Sequence, residues 1–251
     1  MQAIIMAAGK GSRLGKLTED NPKCFLEING VKVLDYIIAL LHENNIYDIV
    51  IVTGYKHTII EDYLKGIKGI TFVYNPFYEF MNVLGSFFIA QGMVKTDDLI
   101  YLHADTLCAP DVFEEMLRTT GDMVLPVDFR ECDEEAMKVR TESGKLIEIS
   151  KQIPCSQSEG EFIGIAKIGS NIIPALKSVT LKLMEQKAFD SYFEGAITQL
   201  IYDNQYILRT MDVRGRFWGE IDFGEDYQAV QKGMPQELIN IALKDRKREL
   251  V

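Results

Sequence analysis

The sequence is poor in the residues that build metal and disulfide scaffolds. Its four cysteines, Cys24, Cys108, Cys132 and Cys155, lie far apart without a CxxC pair, which argues against a zinc site or a disulfide framework. The 3 histidines, His42, His57 and His103, form no nucleophilic or metal-ligand spacing, and the single Trp218 reads as a packing residue. There are 7 prolines and no Pro-, Gly- or Ser-rich tract, so no linker divides the chain. No apolar run approaches the roughly 18 residues of a membrane span. No basic, cleavable leader precedes the first apolar segment, so reduced thiols and a cytoplasmic location are expected. Positive charge is also in deficit. Lys+Arg number 27 against 37 Asp+Glu, a net charge of −10, which disfavours nucleic acid or an anionic membrane as partner. Any phosphate must be met by a local device.

What is present is an ordinary globular composition, 47% hydrophobic over 251 residues, enough for one large α/β domain. Short β-branched runs alternate with segments of helical period. Strands are expected at Gln2–Ala7, Tyr47–Thr53, Ile70–Tyr74, Leu99–His103 and Asp122–Val127. Helices are expected between them at Val31–Asn44, Thr58–Leu64, Val83–Gln91 and Asp111–Arg118. This alternation predicts a Rossmann-like α/β fold, a doubly wound, mixed but mainly parallel sheet with helices on both faces. After Asp128 the texture changes to shorter strands, 138–141, 145–150 and 161–168, with a hairpin turn at 142–144. Helices at 172–186 and 193–204, a strand at 206–213, and helices at 222–232 and 236–249 follow. Residues 1–251 are read as one domain, with a nucleotide-binding half (1–127) and an acceptor-binding half (128–251). The basic end, Lys244, Arg246, Lys247 and Arg248, reads as a solvated last helical turn.

The loop after the first strand, Ala7-Ala8-Gly9-Lys10-Gly11-Ser12-Arg13-Leu14, is the most informative stretch. Small residues let the backbone approach a ligand with its N–H groups directed at phosphate oxygens, and Lys10 and Arg13 add cations. It is not the dinucleotide pattern GxGxxG, because position 14 is Leu14. Nor is it a P-loop, because Gly11 and Gly15-Lys16-Leu17 have the wrong spacing and the wrong last residue.

This loop, followed by Pro22-Lys23, resembles the signature of the nucleoside-triphosphate transferase family, which makes nucleotide-activated sugars and alcohols. The resemblance implies that Ala7, Ala8, Gly9, Lys10 and Gly11 meet the base and triphosphate. It gives Arg13 and Lys23 the catalytic task of stabilising phosphate charge. Ligands in such sheets bind at the carboxyl ends of the strands, where Ala104 and Asp105 follow Leu99–His103. A carboxylate there, and the pair Glu220 and Asp222 around Ile221, suit a divalent cation. Asp105, Glu220 and Asp222 are accordingly expected to hold Mg²⁺, with Ala104, where many relatives have Gly, beside the nucleotide.

The likeness extends, more particularly, to phosphocholine and aminoethylphosphonate cytidylyltransferases. It implies that Asn82 and Ser86 border the pyrimidine, and that Lys151, Glu161, Gly164, Tyr192 and Glu194 surround the acceptor. Acidic and aromatic groups suit an acceptor with a cationic or amino head. The expected activity joins CTP to a small phosphorylated acceptor, phosphocholine, an aminoalkylphosphonate or a phosphoglutamine-like compound of surface-polymer decoration, and releases pyrophosphate. A sugar 1-phosphate enzyme using UTP or dTTP, and a non-catalytic nucleotide sensor on the same fold, are the alternatives. A homodimer is compatible with the sequence.

Overall fold

The structure is a computed structural model that describes residues 1–95 and 97–249, with side chains to residue 246. In the first half, β1 (Gln2–Ala7) leads through a loop to a two-residue hairpin, β2 (Glu27–Ile28) and β3 (Val31–Lys32), and then to α1 (Val33–Glu43). Next come β4 (Asp48–Thr53), α2 (His57–Tyr63), β5 (Ile70–Tyr74), α3 (Val83–Ala90), β6 (Leu99–His103), β7 (Thr106–Cys108), α4 (Pro110–Arg118) and β8 (Met123–Asp128). The second half contains β9 (Lys138–Glu142), β10 (Lys145–Ser150), β11 (Gly160–Phe162), β12 (Ile165–Ile168), α5 (Ile173–Glu185) and α6 (Phe193–Asp203). It closes with β13 (Leu208–Asp212), β14 (Trp218–Glu220), α7 (Gly224–Gly233) and α8 (Gln236–Glu249).

Ten strands form one mixed sheet in the order β11-β9-β10-β13-β8-β12-β6-β1-β4-β5, which therefore runs through both halves of the sequence. Strands β6, β1, β4 and β5 are parallel, while β12 runs antiparallel to both β6 and β8. Helices cover both faces, as the alternation predicts. Side chains along β1 alternate between them: Ala3, Ile5 and Ala7 pack with Leu34, Ile38 and Leu41 of α1, and Ile4 and Met6 pack with Leu84 and Phe87 of α3. A strand buried on both sides has no polar face to show, hence its continuous apolar run.

Four local features differ from the sequence expectation. Val31 and Lys32 are not the first turn of a helix but the return strand of a hairpin whose turn, Asn29-Gly30, has φ of 51° and 77°, the left-handed pair that a tight hairpin turn requires. The expected strand 161–168 is two strands: Gly164, at φ +80°, breaks it, so that β11 pairs with β8 and β9 whereas β12 pairs with β6 and β8. Helix α7 begins at Gly224 rather than Asp222. Its amino end is closed by Asp226, whose carboxylate accepts hydrogen bonds from the amides of Asp222 and Phe223 at 3.0 and 2.7 Å, leaving the Asp222 side chain free for other work. At the basic end, Lys244 pairs with Glu43 of α1 at 3.1 Å and Arg246 donates to the Gly30 carbonyl. The Lys247 and Arg248 side chains lie outside the described residues.

Candidate active site

The carboxyl ends of β1 and β6 open into a cleft of about 760 Å³. On the β1 side the chain leaves the sheet through the glycine loop. Gly11 takes a left-handed conformation (φ 63°, ψ 40°) that starts a 3₁₀ turn, and buried Leu14 anchors that turn. The Thr18 hydroxyl closes the loop by donating to the Gly11 carbonyl at 2.9 Å. A Cβ on Gly11 would press on the Lys23 side chain at 3.1 Å, whereas one on Gly9 would meet no protein atom within 4 Å. Neither packing nor a left-handed φ demands glycine at position 9, so what it leaves clear is cleft. Lys10 is the exception among the expected site residues. It does not line the cleft, and its ammonium lies 5.6 Å from the centre of the Tyr55 ring.

Two distant acidic stretches meet Lys23 here. The short strand β14 pairs antiparallel with β7, Glu220 opposite Thr106, and the Ile221 amide extends the ladder to the Asp105 carbonyl at 3.1 Å. Ile221 is buried, which turns Glu220 and Asp222 to the cleft. Lys23 Nζ then lies 2.5 Å from both Asp105 Oδ2 and Asp222 Oδ1. Burial would lower the pKa of this ammonium, but the two carboxylates outweigh it and hold the value above the ordinary lysine range. Burial would likewise raise Asp105; the Lys23 charge, aided by His103, keeps it below the usual carboxylate value. Arg13 reaches the other Asp222 oxygen at 3.2 Å.

Asp105 Oδ1 is buried and has no hydrogen-bond partner. Among the described residues, His103, Asp105 and Glu220 offer donor atoms within 4.8 Å of one another. An orphaned carboxylate oxygen beside a second carboxylate fits a hard divalent cation. His103 is a poorer Mg²⁺ ligand than an oxygen and has another occupation. Its Nδ1 lies 3.6 Å from Glu220 Oε1 and its Nε2 3.0 Å from the Tyr101 hydroxyl. Burial would depress its pKa, yet Glu220, with Asp105 and Glu194, lifts it to about 9. The structure does not bring Asp222 into this group; that carboxylate is taken by Lys23 and Arg13.

The cleft is also lined by acidic and aromatic groups. Phe193, fully buried, stacks on Tyr101 of β6 with ring centres 3.9 Å apart and meets Phe87 of α3 edge-on at 5.1 Å. Contacts of this kind contribute about 0.5–1.5 kcal/mol each beyond area burial. They fix the start of α6, so that Tyr192 and Glu194 both line the cleft. Glu194 is 3% exposed and its Oε2 has no partner; burial, first of all, raises its pKa. Glu161 is held at 2.8 Å by Arg130, whose guanidinium lies 5.2 Å from the Trp218 ring. Lys151 lies 5.2 Å from the Tyr192 ring. Gly164 lets β12 turn past His103, since a Cβ there would come within 2.7 Å of Nδ1.

The cleft thus gathers Ala7, Ala8, Gly9 and Gly11 with Arg13, Lys23, Ala104 and Asp105, and every expected acceptor residue. Asn82 and Ser86 also line it, but their polar groups are engaged within the protein. Asn82 caps α3 by accepting from the Val83 amide at 2.8 Å, and Ser86 Oγ accepts from Asn75 at 2.9 Å. Sequence reasoning missed His103, Arg130 and Glu135. The first was legible in principle as the residue two before Asp105 on an alternating strand. The other two sit in a charged loop, 129–137, in which no motif or periodicity marks them.

A cationic glycine loop facing carboxylates across the carboxyl edge of an α/β sheet suits displacement at a nucleotide phosphate, and the comparisons with known proteins agree: this is a nucleotidyltransferase. The chain belongs to the family of the MobA-like NTP transferase domain, whose profile matches residues 3–158. It is similar to the CTP:phosphoglutamine cytidylyltransferase of Campylobacter jejuni, 27% identical over 249 residues that span 91% of this chain and 98% of that one. It is also similar to the choline-phosphate cytidylyltransferase of Streptococcus pneumoniae, 27% identical over 244 residues, 94% of this chain and all of the other. Among solved structures, the CTP:phosphocholine cytidylyltransferase of Streptococcus pneumoniae shares the fold, with a TM-score of 0.75 at 24% identity, covering 92% of this chain and 97% of that one. Among the described residues no helix is long and apolar enough to cross a membrane.

Proposed function

We propose that the enzyme joins CTP to a small phosphorylated acceptor bearing an amino or quaternary ammonium head, forming a CDP-linked product and pyrophosphate. The observation that carries this reading is that one cleft holds both kinds of group: Arg13 and Lys23 beside the glycine loop, and the Tyr192 ring with the buried Glu194 carboxylate, one oxygen of which has no hydrogen-bond partner. Two relatives bear the names of cytidylyltransferases for phosphoglutamine and choline phosphate, which supports CTP as donor and an amine-bearing phosphate as acceptor.

In the reaction an acceptor phosphate oxygen attacks the α-phosphorus of CTP, and the bond from that phosphorus to the oxygen bridging to the β-phosphate breaks. A phosphate monoester is largely ionised at neutral pH, its second pKa being about 6, so no general base is required. Catalysis rests on positioning and on charge stabilisation. Arg13 offers its planar fork to the phosphates, and Lys23 transfers its charge from the two aspartates to the triphosphate. Glu194 and the Tyr192 ring hold the acceptor's cationic head, which fixes its phosphate on the side of Lys151. Mg²⁺ held by Asp105 and Glu220, with waters completing its shell, would neutralise charge on the α-phosphate and the leaving pyrophosphate.

The test is pyrophosphate release with Mg²⁺, each common nucleoside triphosphate, and a panel of phosphate monoesters and phosphonates. Release is expected with CTP and an amine-bearing acceptor. Release only with a sugar 1-phosphate would transfer the enzyme to the sugar branch of the family.

A further inference from the structure

The loop between β8 and β9 carries an acidic run, Glu131, Asp133, Glu134 and Glu135, and brings Asp133 and Glu135 to the cleft wall. This loop is braced from within. Lys138 is 1% exposed, and its Nζ donates to the carbonyls of Asp133, Glu134 and Ala136 at 3.0, 3.1 and 3.3 Å. The Asp133 carboxylate accepts from the amides of Glu135 and Ala136 at 2.9 and 3.0 Å. Glu135 therefore projects from a fixed turn. A single oxygen of its side chain, Oε2, lies 3.3 Å from Arg13 Nη2 and 3.7 Å from Lys151 Nζ. Arg13 belongs to the nucleotide half and Lys151 to the acceptor half, so one carboxylate oxygen answers a cation on each side of the cleft.

We propose that Glu135 is a built-in counter-anion that entering phosphates displace, and that by sharing one oxygen between Arg13 and Lys151 it couples the two half-sites. The inference rests on the assignment of these two cations to phosphates in the reading above. A triphosphate at Arg13 brings several negative charges to a position that Glu135 answers with one, and it repels that carboxylate from the cleft. Lys151 then loses its counter-charge and becomes available to the acceptor phosphate. Filling the nucleotide half thus raises affinity in the acceptor half, and linkage requires the reverse as well. Glu135 acts through Arg13 and Lys151 and touches no reacting atom, so it is a positioning residue.

The experiment titrates inorganic tripolyphosphate, which has neither base nor acceptor group, into the full chain and into Glu135→Gln by calorimetry. The side chains involved are partly exposed, so the variant is expected to bind about two- to fivefold more tightly, and the gap is expected to close as salt rises. Inorganic phosphate titrated with and without saturating tripolyphosphate reads the coupling: tripolyphosphate should tighten phosphate binding in the parent and have less effect in Glu135→Gln. Equal or weaker tripolyphosphate binding by the variant, a salt-independent gap, or no binding by either protein overturns the proposal. Failure of CTP transfer in the panel assay leaves this result standing, and a failure here leaves the transfer reaction untouched.

Discussion

Lys23→Met removes the ammonium that binds Asp105 to Asp222, and its consequences can be worked out from the geometry. The variant keeps the length of the side chain and deletes two contacts of 2.5 Å at a site where the lysine is 12% exposed and Asp105 20%. Breaking a buried ion pair by deleting one partner costs about 3–5 kcal/mol. Asp222 is 35% exposed, and solvent screening of that contact lowers the expected loss to about 2–3 kcal/mol. In a chain of this size the loss corresponds to roughly 4–12 °C in Tm. The pH dependence has a definite sign. Lys23 holds Asp105 below its unfolded value, so the pair's contribution is present at neutral pH and fades as pH falls through the folded pKa. Without Lys23, burial dominates and raises Asp105, so acid relieves the variant by protonating a carboxylate it cannot compensate. The Tm difference should therefore shrink on acidification, and turnover with the preferred substrate pair should fall by about a hundredfold or more. A variant with parental Tm at pH 7, or a Tm gap that widens towards acid, would refute the reasoning.

Gly9→Ala should leave stability within about 0.5 kcal/mol of the parent, since the added Cβ meets no protein atom, while nucleotide affinity drops tenfold or more; a parental Kd would remove the loop from the binding surface. Glu194→Gln relieves a buried carboxylate oxygen with no partner and should raise stability at neutral pH by up to about 1 kcal/mol, seen as a higher Tm, while KM for the acceptor rises. Unchanged acceptor KM would detach Glu194 from the head group. In chelator-treated protein, the raised pKa of His103 means that its contribution to stability is complete below 6.5 and lost as pH climbs through about 9. Glu220→Gln should flatten that decline, and identical pH–Tm curves for the two proteins would contradict the pairing.

Much of the fold was legible because strands buried on both faces are runs of β-branched residues, and Asp48–Thr53 or Leu99–His103 can be little else. The hairpin at Asn29-Gly30 carried a readable turn signal, but two-residue strands leave no alternation to support it. Gly164 was visible as a glycine, yet its breaking of the strand depends on His103 lying 2.7 Å from where a Cβ would stand, a contact between segments sixty residues apart. The site divides in the same way. The loop around Gly9 and Arg13 is contiguous and carries its chemistry in its spelling. The meeting of Asp105 with Glu220 depends on the pairing of β7 with β14, three residues each, too short to leave a pattern. Glu135 owes its position to a lysine buried against backbone carbonyls, and carbonyls have no letter in a sequence.

The reversed course of β12 has an effect on how this protein can change. Because Ile165 lies opposite Leu102 and Ile168 opposite Leu99, the chain enters β12 at the same rim where β6 delivers Asp105. A strand laid in the opposite sense would have delivered Glu161 and Gly164 to the far side of the molecule, away from any nucleotide. As built, the loops 129–137 and 151–159 carry Arg130, Glu135 and Lys151 to the cleft, so insertions or exchanges there reshape the cleft wall, while the β6–β12 seam beneath keeps its register. That wall can then be recut in two loops, with β1, β6 and the glycine loop left as they stand.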